Sequence, residues 1–228
     1  MRYLIIGAGL VGEKVAQELA KQNEVELIDP YKHIEIEGVL FKREEFNEFS
    51  KNPINQNRFD SILNFAYPMK RDREIETFPE PGLFNTIISS HLGFYYEVMY
   101  MSKFLLHNQS GSVLSAASIY SLFMPRNDIY LNSTLITPVD YIAAKSSLIY
   151  MTKYFAKNYS KNIYFNTISF GGVYNNHEET FNNAYGKYTK SGSMLNIKDL
   201  IKSIIFLARS QELKINGENL IIDDGFTL

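Results

Sequence analysis

Several features that would identify other classes of protein are missing from this sequence of 228 residues. It has no cysteine, which excludes disulfides, thiolate nucleophiles and cysteine-ligated metal sites, and which agrees with a reducing compartment. Its net charge is −2 and no basic block stands out, which argues against a nucleic-acid surface. No apolar run approaches the roughly 18 residues that span a membrane. Glycines and charges interrupt the apolar start of the chain, so we expect no signal peptide and a cytoplasmic protein.

Metal-binding patterns are also missing. The chain has 4 histidines, and none pairs with another at a metal-binding spacing. They are His33, His91, His107 and His177. Asp223 and Asp224 could bind a cation, but a C-terminal turn explains this pair better. We therefore expect no catalytic metal. The hydrophobic content of 45% is enough for one substantial core.

The first 30 residues have the pattern of a βαβ unit. Tyr3–Ile6 is a continuous apolar run, and Val25–Ile28 is a second short run that only Glu26 interrupts, as expected for parallel strands that are buried on both faces. Between them, Leu10–Gln22 carries apolar residues at helical spacing. The turn between the first strand and the helix is therefore placed where nucleotide-binding proteins hold phosphate.

That turn contains Gly7, Gly9 and Gly12, spaced G-x-G-x-x-G. In such a turn the first glycine allows a tight bend and the second lets the backbone approach a pyrophosphate. The third lets the helix pack closely on the strand. The helix N-terminus, at Leu10 and Val11, would offer free N–H groups to the phosphates. Any α/β protein can contain a glycine turn, but the flanking strand and helix favour dinucleotide binding here.

Asp29 closes the second strand, 17 positions after Gly12. A carboxylate at this place accepts hydrogen bonds from a ribose 2′-OH and repels a 2′-phosphate, which favours NAD over NADP. Lys32 is close enough in sequence to weaken this preference.

Strand and helix patterns alternate along the rest of the chain. Further strands are predicted at His33–Phe41, Ser61–Ala66, Val113–Ala117, Ile163–Ser169 and Leu220–Ile222, and further helices at Lys42–Lys51, Leu83–Leu106, Val139–Tyr159 and Ile197–Ser210. Three segments are predicted to be loops: Pro68–Pro81, Ile119–Pro138, and Asn175–Ser193 as a lid. We predict a single domain over residues 1–228, an α/β doubly wound parallel sheet of Rossmann type with helices on both faces.

Tyr141 and Lys145 lie four residues apart on the helix predicted at Val139–Tyr159, so their side chains share one face. An ammonium group beside a phenol favours the phenolate and eases proton transfer near neutral pH. That chemistry suits the interconversion of an alcohol and a carbonyl. Because the chain has 16 tyrosines, one such pair is expected by chance, and a solvated helix face is the better explanation of the pair taken alone.

Motifs over nearly the whole chain resemble those of the short-chain dehydrogenase/reductase family, and they come in that family's order. The glycines match its nucleotide-binding turn, although the family's usual form is T-G-x-x-x-G-x-G. The other matches are NFAY at Asn64–Tyr67 with Asn-Asn-Ala-Gly, VLSAAS at Val113–Ser118 with the strand that ends in the catalytic serine, YIAAK at Tyr141–Lys145 with Tyr-x-x-x-Lys, SFGGV at Ser169–Val173 with Pro-Gly-Gly-Val, and NGENLIIDDG at Asn216–Gly225 with the closing Gly-Gln-x-x-x-Val-Asp-Gly-Gly.

This resemblance implies an NAD(P)-dependent oxidoreductase with three catalytic residues. Tyr141 would be the general acid and base, and Ser118 would hydrogen-bond the reacting oxygen. Lys145 would hold the nicotinamide ribose and lower the pKa of Tyr141.

The resemblance also implies cofactor contacts and an oligomer. The backbone of Val173 would meet the carboxamide, and Asn64 and Ala66 would line the adenosine side of the groove. Similar proteins form dimers or tetramers through the helix at Val139–Tyr159 and the helix before it.

The chain departs from the family at two further places. Ser118 and Tyr141 are 23 positions apart, more than is usual, so the loop Ile119–Pro138 is enlarged and is expected to shape the substrate site. The family's fourth catalytic residue is an asparagine on the preceding helix. Ser90 or His91 falls near that position, and neither can be assigned its role.

One subgroup is more similar than the rest: the oxidoreductases of flagellin-modification and nonulosonic-acid (legionaminic- or sialic-type) sugar pathways. The resemblance rests on TPVDYIAAKSSL, on the long loop before it and on the ending INGENLIIDDGFTL. It implies a small-molecule substrate, namely a sugar phosphate, a nucleotide sugar or a related polyol. Two alternatives stay open: a nucleotide-sugar epimerase or dehydratase, and a non-catalytic dinucleotide-sensing protein.

Overall fold

One parallel sheet runs through the protein. The computed structural model describes residues 1–67, 78–131 and 137–228. The strands are β1 (Arg2–Ile6), β2 (Glu24–Ile28), β3 (Val39–Lys42), β4 (Ser61–Asn64), β5 (Gly111–Ala116), β6 (Ile163–Phe170) and β7 (Asn219–Ile222). Their order in the sheet is β3-β2-β1-β4-β5-β6-β7, and every neighbouring pair is parallel.

Helices cover both faces of this sheet, so the predicted doubly wound α/β class is confirmed. The helices are α1 (Leu10–Leu19), α2 (Phe46–Lys51), α3 (Pro81–Leu105), α4 (Val139–Asn158), α5 (Glu179–Gly186), α6 (Ile197–Ala208) and α7 (Ser210–Leu213). On one face α1 packs beside α6, over a core that includes Ile5, Leu27 and Ile204. On the other face α3 packs between α2 and α4, over a core that includes Ile62, Val98 and Leu148.

The strand order reverses between β1 and β4, because β1 lies between β2 and β4. In open α/β sheets, ligands bind outside the carboxyl ends of the strands at such a point. The glycine turn follows β1, and Ala66 follows β4. The residues singled out as a nucleotide site therefore meet at the switch point of the fold.

The structure corrects several predicted boundaries. The strand predicted at His33–Phe41 is confined to Val39–Lys42, because the chain turns at Gly38, whose φ is +76°, and only then pairs with β2. The helix predicted at Lys42–Lys51 begins at Phe46.

Asn175–Ser193 lacks clear periodicity, yet it contains α5. Two other predicted loops fall partly outside the described residues: Pro68–Pro81 at residues 68–77, and Ile119–Pro138 at residues 132–136. No helix in the described part of the chain is long and apolar enough to cross a membrane.

Candidate active site

Tyr141 and Lys145 occupy the first two turns of α4, which begins after Pro138. The Lys145 side chain reaches from this helix to the sheet, where its Nζ donates to the Ala116 carbonyl oxygen at the end of β5, at 2.7 Å. Only 4% of Lys145 is exposed. The pair therefore lies against the carboxyl end of the sheet and not on a solvated helix face.

Ser118 follows β5 by two residues and caps a short 3₁₀ turn at Ile119–Ser121. Its Oγ accepts from the Tyr120 N–H at 3.2 Å, and its own N–H donates to the Ser121 Oγ at 3.2 Å. This reciprocal cap fixes the Ser118 backbone, and the Ser118 hydroxyl lies close enough to the Tyr141 phenol to lower the pKa of that phenol. The structure thus brings together the three residues that the sequence analysis singled out as catalytic.

The pKa values of this pair differ from the expectation. Burial raises the pKa of Tyr141, and the nearby Ser118 hydroxyl lowers it only in part. Burial also lowers the pKa of Lys145 to about 7. The prediction that Lys145 lowers the pKa of Tyr141 is therefore wrong for this structure, since desolvation dominates both groups. Tyr141 is a neutral phenol near pH 7, able to donate a proton.

A cavity of about 400 Å³ opens above Ser118 and Tyr141. One wall carries a chain of hydroxyl groups: the Tyr130 hydroxyl lies 2.7 Å from that of Tyr120 and 3.0 Å from that of Thr137. None of the described residues that line the cavity is lysine, arginine, aspartate or glutamate.

His177 adds a polar group on the lid side of this cavity. Its Nδ1 accepts from the Asn175 N–H at 3.2 Å, so in the neutral imidazole the proton lies on Nε2. Helix α5 supplies apolar residues below it, with Phe181 and Tyr185 packed against Phe226 and Met194. The cavity therefore combines an apolar base with hydroxyl and imidazole groups.

The glycine turn after β1 shows why it needs glycine. A Cβ on Gly12 would lie 1.9 Å from the Gly7 carbonyl oxygen, and a Cβ on Gly7 would lie 2.7 Å from the Ala66 nitrogen. A Cβ on Gly9 would meet nothing within 4 Å. Gly9 is also the N-cap of α1 and brings no side-chain cap. The two outer glycines thus serve internal packing, while the middle one and the N–H groups of Leu10 and Val11 are available to a ligand.

Asp29 holds this turn through its carboxylate. Its Oδ2 accepts from the Ala8 N–H at 2.9 Å, and its Oδ1 accepts from the N–H groups of Tyr31 and Lys32 at 2.8 and 3.0 Å. The Lys32 ammonium is paired with Glu13 at 2.7 Å. The cation that weakened the argument for NAD is therefore already neutralised.

Asp29 and Ala66 both line a groove of about 280 Å³ beside the glycine turn. Asn64 does not line it, because its side chain is 2% exposed and folds back to accept from the Ala66 N–H at 3.1 Å. The expectation that Asn64 lines the groove is corrected: it shapes the backbone that does so.

Val173 lies in a parallel bridge to Leu195. In this bridge Leu195 donates to the Gly172 oxygen and accepts from the Tyr174 N–H, each at 2.9 Å. The N–H and C=O of Val173 itself therefore point the other way, along the wall of the larger cavity. Gly172 is fixed by its N–H donating to the Tyr185 hydroxyl at 2.6 Å.

Sequence reasoning missed the importance of Tyr67, which lines both the groove and the cavity. Its ring lies 5.2 Å from the ring of Tyr141 and 4.2 Å from that of His91. The sequence feature that could have indicated it is that Tyr67, the last residue of NFAY, occupies the position where the family motif has glycine. Of the two candidates on the preceding helix, His91 is 1% exposed and packs toward the site, whereas Ser90 is exposed.

Among the described residues there is no group of three or more His, Cys, Asp or Glu that could hold a metal ion. Asp223 instead accepts from the N–H groups of Gly225 and Thr227, each at 3.0 Å, and Asp224 from that of Ser191 at 2.7 Å. Both carboxylates thus serve the C-terminal turn and its contact with the lid.

A family profile described as enoyl-(acyl carrier protein) reductase matches residues 49–227. The matched segment contains Ser118, Tyr141 and Lys145, and it begins after the glycine turn, where this sequence departs from the usual pattern. With the fold, this match shows that the chain belongs to the short-chain dehydrogenase/reductase family, whose members are NAD(P)-dependent oxidoreductases. The predicted family is confirmed.

The post-translational flagellin modification protein A of Campylobacter coli is similar to this chain. The two are 26% identical over 175 residues, which cover 75% of this chain and 68% of the relative. Among solved structures, a short chain dehydrogenase from Leptospira borgpetersenii with bound NAD⁺ has a TM-score of 0.82 and 25% identity, with 100% of this chain and 92% of that chain covered.

A second solved structure, 4-hydroxyisoleucine dehydrogenase complexed with NADH, has a TM-score of 0.73 and covers 99% of this chain and 98% of its own. At 20% identity this likeness concerns the fold.

Proposed function

We propose that this protein is an NAD-dependent oxidoreductase that interconverts a hydroxyl and a carbonyl on a neutral, hydroxyl-rich part of a sugar-type substrate. The observation that carries the proposal is that Ser118 and Tyr141 line one cavity at the carboxyl end of the sheet, with Lys145 one turn further along the helix that carries Tyr141. In reduction, the neutral Tyr141 Oη–H would give its proton to the reacting oxygen. In oxidation, Tyr141 would first have to lose that proton, so that the phenolate oxygen could take the hydroxyl proton. Ser118 Oγ would hold the reacting oxygen.

The residues around the glycine turn fit a dinucleotide. The open backbone at Gly9 and the first N–H groups of α1 suit a pyrophosphate, and the outward N–H and C=O of Val173 suit a carboxamide. Lys145 would hold the ribose beside Tyr141. When bound, NAD would accept or return the hydride at the carbinol carbon. The NAD⁺ bound in the similar Leptospira borgpetersenii structure supports this choice.

The charges near Asp29 favour NAD over NADP. Lys32 is engaged by Glu13, and Glu44 and Glu45 also line the groove. We expect NADPH to bind at least about tenfold more weakly than NADH, because a 2′-phosphate would meet uncompensated carboxylates. Dissociation constants from nucleotide fluorescence would test this.

Glu13→Gln supplies the matched control for that comparison, because it releases the Lys32 ammonium. The variant should gain affinity for NADPH by several-fold, with little change for NADH. Equal binding of the two nucleotides by the unaltered protein would contradict the assignment.

The substrate class rests on the cavity and on one relative. Tyr120, Tyr130, Thr137 and His177 offer hydrogen bonds to hydroxyl groups, and the described lining holds no charged side chain. A phosphate or nucleotide on the substrate would therefore lie outside this lining. The flagellin modification relative supports a role in the biosynthesis of a bacterial surface glycan, from a cytoplasmic pool of sugar precursors.

The direct test is turnover of NAD⁺ or NADH with a panel of polyols, sugars and oxidised sugars, each also supplied as phosphate and nucleotide derivatives. We expect turnover with a member of the panel, and the derivatives should show whether a charged group is required. An epimerase would convert its substrate with no net change in the cofactor.

We also propose a homodimer, or a dimer of such dimers, through the outer surface of α3 and α4. Exposed aromatic residues repeat at helical spacing on both helices, and apolar rows of this kind mark interaction sites. They are Tyr96, Tyr100 and Phe104 on α3, and Tyr150 and Tyr154 on α4.

Replacing both Tyr150 and Tyr154 by Lys should reduce the native mass to that of the monomer, because lysine is depleted from interface cores. Light scattering after size-exclusion chromatography would measure it. Phe206→Lys is the control, because Phe206 is an exposed aromatic residue on α6, at the opposite face of the sheet. A double variant that keeps the native mass of the unaltered protein would contradict this interface.

A further inference from the structure

The Lys145 ammonium is buried without a carboxylate partner among the described ion pairs. Its hydrogen bond goes to the neutral Ala116 carbonyl. The titratable groups on the elements packed around it are Tyr67, His91, Tyr95 and Tyr141. Burial is the cause that shifts the Lys145 pKa to about 7. A buried ammonium of this kind needs another source of stabilisation if it is to stay charged at neutral pH.

Two tyrosine rings supply such a source. Lys145 Nζ lies 5.4 Å from the ring centroid of Tyr67 and 5.7 Å from that of Tyr95. Both distances are within the roughly 6 Å over which an aromatic face attracts a cation, and the attraction is strongest where water is excluded. Tyr95 is 0% exposed.

His91 contacts both rings. Its imidazole centroid is 4.2 Å from that of Tyr67 and 6.4 Å from that of Tyr95, with the second pair edge to face. Its Nδ1 lies 2.6 Å from the Ile87 carbonyl oxygen and donates to it, because that oxygen can only accept. This bond anchors the imidazole to α3, so the two tyrosine rings rest on a fixed support.

We propose that Tyr67 and Tyr95, supported by His91, form an aromatic cage that keeps the Lys145 ammonium charged and in place beside Tyr141. All three are positioning residues, since they act through Lys145. Tyr67 stands where the family motif has glycine, so half of the cage comes from a residue that the motif does not supply. The consequence for catalysis rests on the proposed function, but the cage itself does not.

The test is an NMR titration of Lys145 in protein labelled at the lysine Cε, with the signal assigned by its loss in Lys145→Arg. In Tyr67→Leu the apolar bulk remains and the π face is lost. The Lys145 pKa should then fall by about half a unit to one unit, the range expected from a cation–π contact. In Tyr67→Phe the ring remains, and the pKa should stay within about 0.3 units.

The direction of the shift separates the cage from simple loosening of the structure. If Tyr67 only fills space, its loss admits water, and the Lys145 pKa rises toward its ordinary value. A rise or no change in Tyr67→Leu would overturn the proposal, as would an equal fall in Tyr67→Phe, which would assign the effect to the hydroxyl. Tyr67→Met, whose side chain is apolar and unbranched, provides a second test if the leucine variant folds poorly.

The kinetic counterpart is the pH profile. Lys145 loses its ammonium charge as the pH rises through its pKa. In Tyr67→Leu the alkaline decline of kcat should therefore move to lower pH, by the same amount as the pKa shift seen in the titration. The titration needs no turnover. If the unaltered protein showed no turnover, the proposed function would be wrong. The titration would still show whether the aromatic cage keeps Lys145 charged.

Discussion

Tyr141→Phe is expected to lower kcat by about 10²–10⁴-fold, the range for a positioned acid–base group. The change removes one oxygen atom at the floor of the cavity and leaves the ring packed against Tyr67. NADH affinity and thermal stability should therefore stay close to those of the unaltered protein. The loss should fall on kcat and on kcat/KM together, because the interaction is made in the transition state.

Tyr164→Phe is the matched control, since Tyr164 lies on β6, outside the lining of the cavity and the groove. It removes the same atom and should keep full turnover. If Tyr141→Phe retained turnover within about threefold, another group would have to carry the proton.

Gly12→Ala is expected to abolish NADH binding and to destabilise the fold. The new Cβ would stand 1.9 Å from the Gly7 carbonyl oxygen, a backbone atom that cannot move aside without shifting α1 away from β1. Overpacking of this kind costs about 1–3 kcal/mol or more in the free energy of unfolding. Because the same shift displaces the helix N-terminus, NADH affinity should fall by more than about 100-fold.

Gly9→Ala separates packing from ligand approach at the same turn. Its Cβ would have open space within 4 Å, so the free energy of unfolding should change by less than about 1 kcal/mol. NADH should still bind about tenfold more weakly, because the methyl group stands where the backbone approaches the pyrophosphate. Chemical denaturation and nucleotide fluorescence measure the two effects. Gly12→Ala with unaltered stability and affinity would contradict the packing argument.

The parts of the fold that follow from hydrophobic periodicity could be predicted from the sequence. Tyr3–Ile6 of β1 is a continuous apolar run, and β2 and β6 are mostly apolar, with polar residues such as Glu26 and Asn166 among them. Such runs are typical of strands that are covered on both faces. The glycine turn could be predicted because each glycine has a separate physical requirement. Ser118, Tyr141 and Lys145 were found by their order along the chain and not by any one of them alone.

Other features depend on tertiary contacts that local sequence does not report. α5 carries few apolar residues, and it is stabilised by packing Phe181 and Tyr185 on the distant Phe226. The local sequence around Asn64 does not indicate that its side chain turns back to accept from the Ala66 N–H. The pKa of Tyr141 followed burial and not the neighbouring ammonium, because desolvation depends on the surrounding shell of atoms.

The most direct test of the proposed chemistry is the transfer of deuterium from [4-²H]NADH, in both stereochemical forms, to an oxidised sugar or ketose. The protein is predicted to place deuterium from one form on the carbon that becomes the carbinol, with one NAD⁺ formed per product. Tyr141→Phe should slow this transfer without changing NADH binding. A product without deuterium from either form, or an equal rate in Tyr141→Phe, would contradict the assignment of this site.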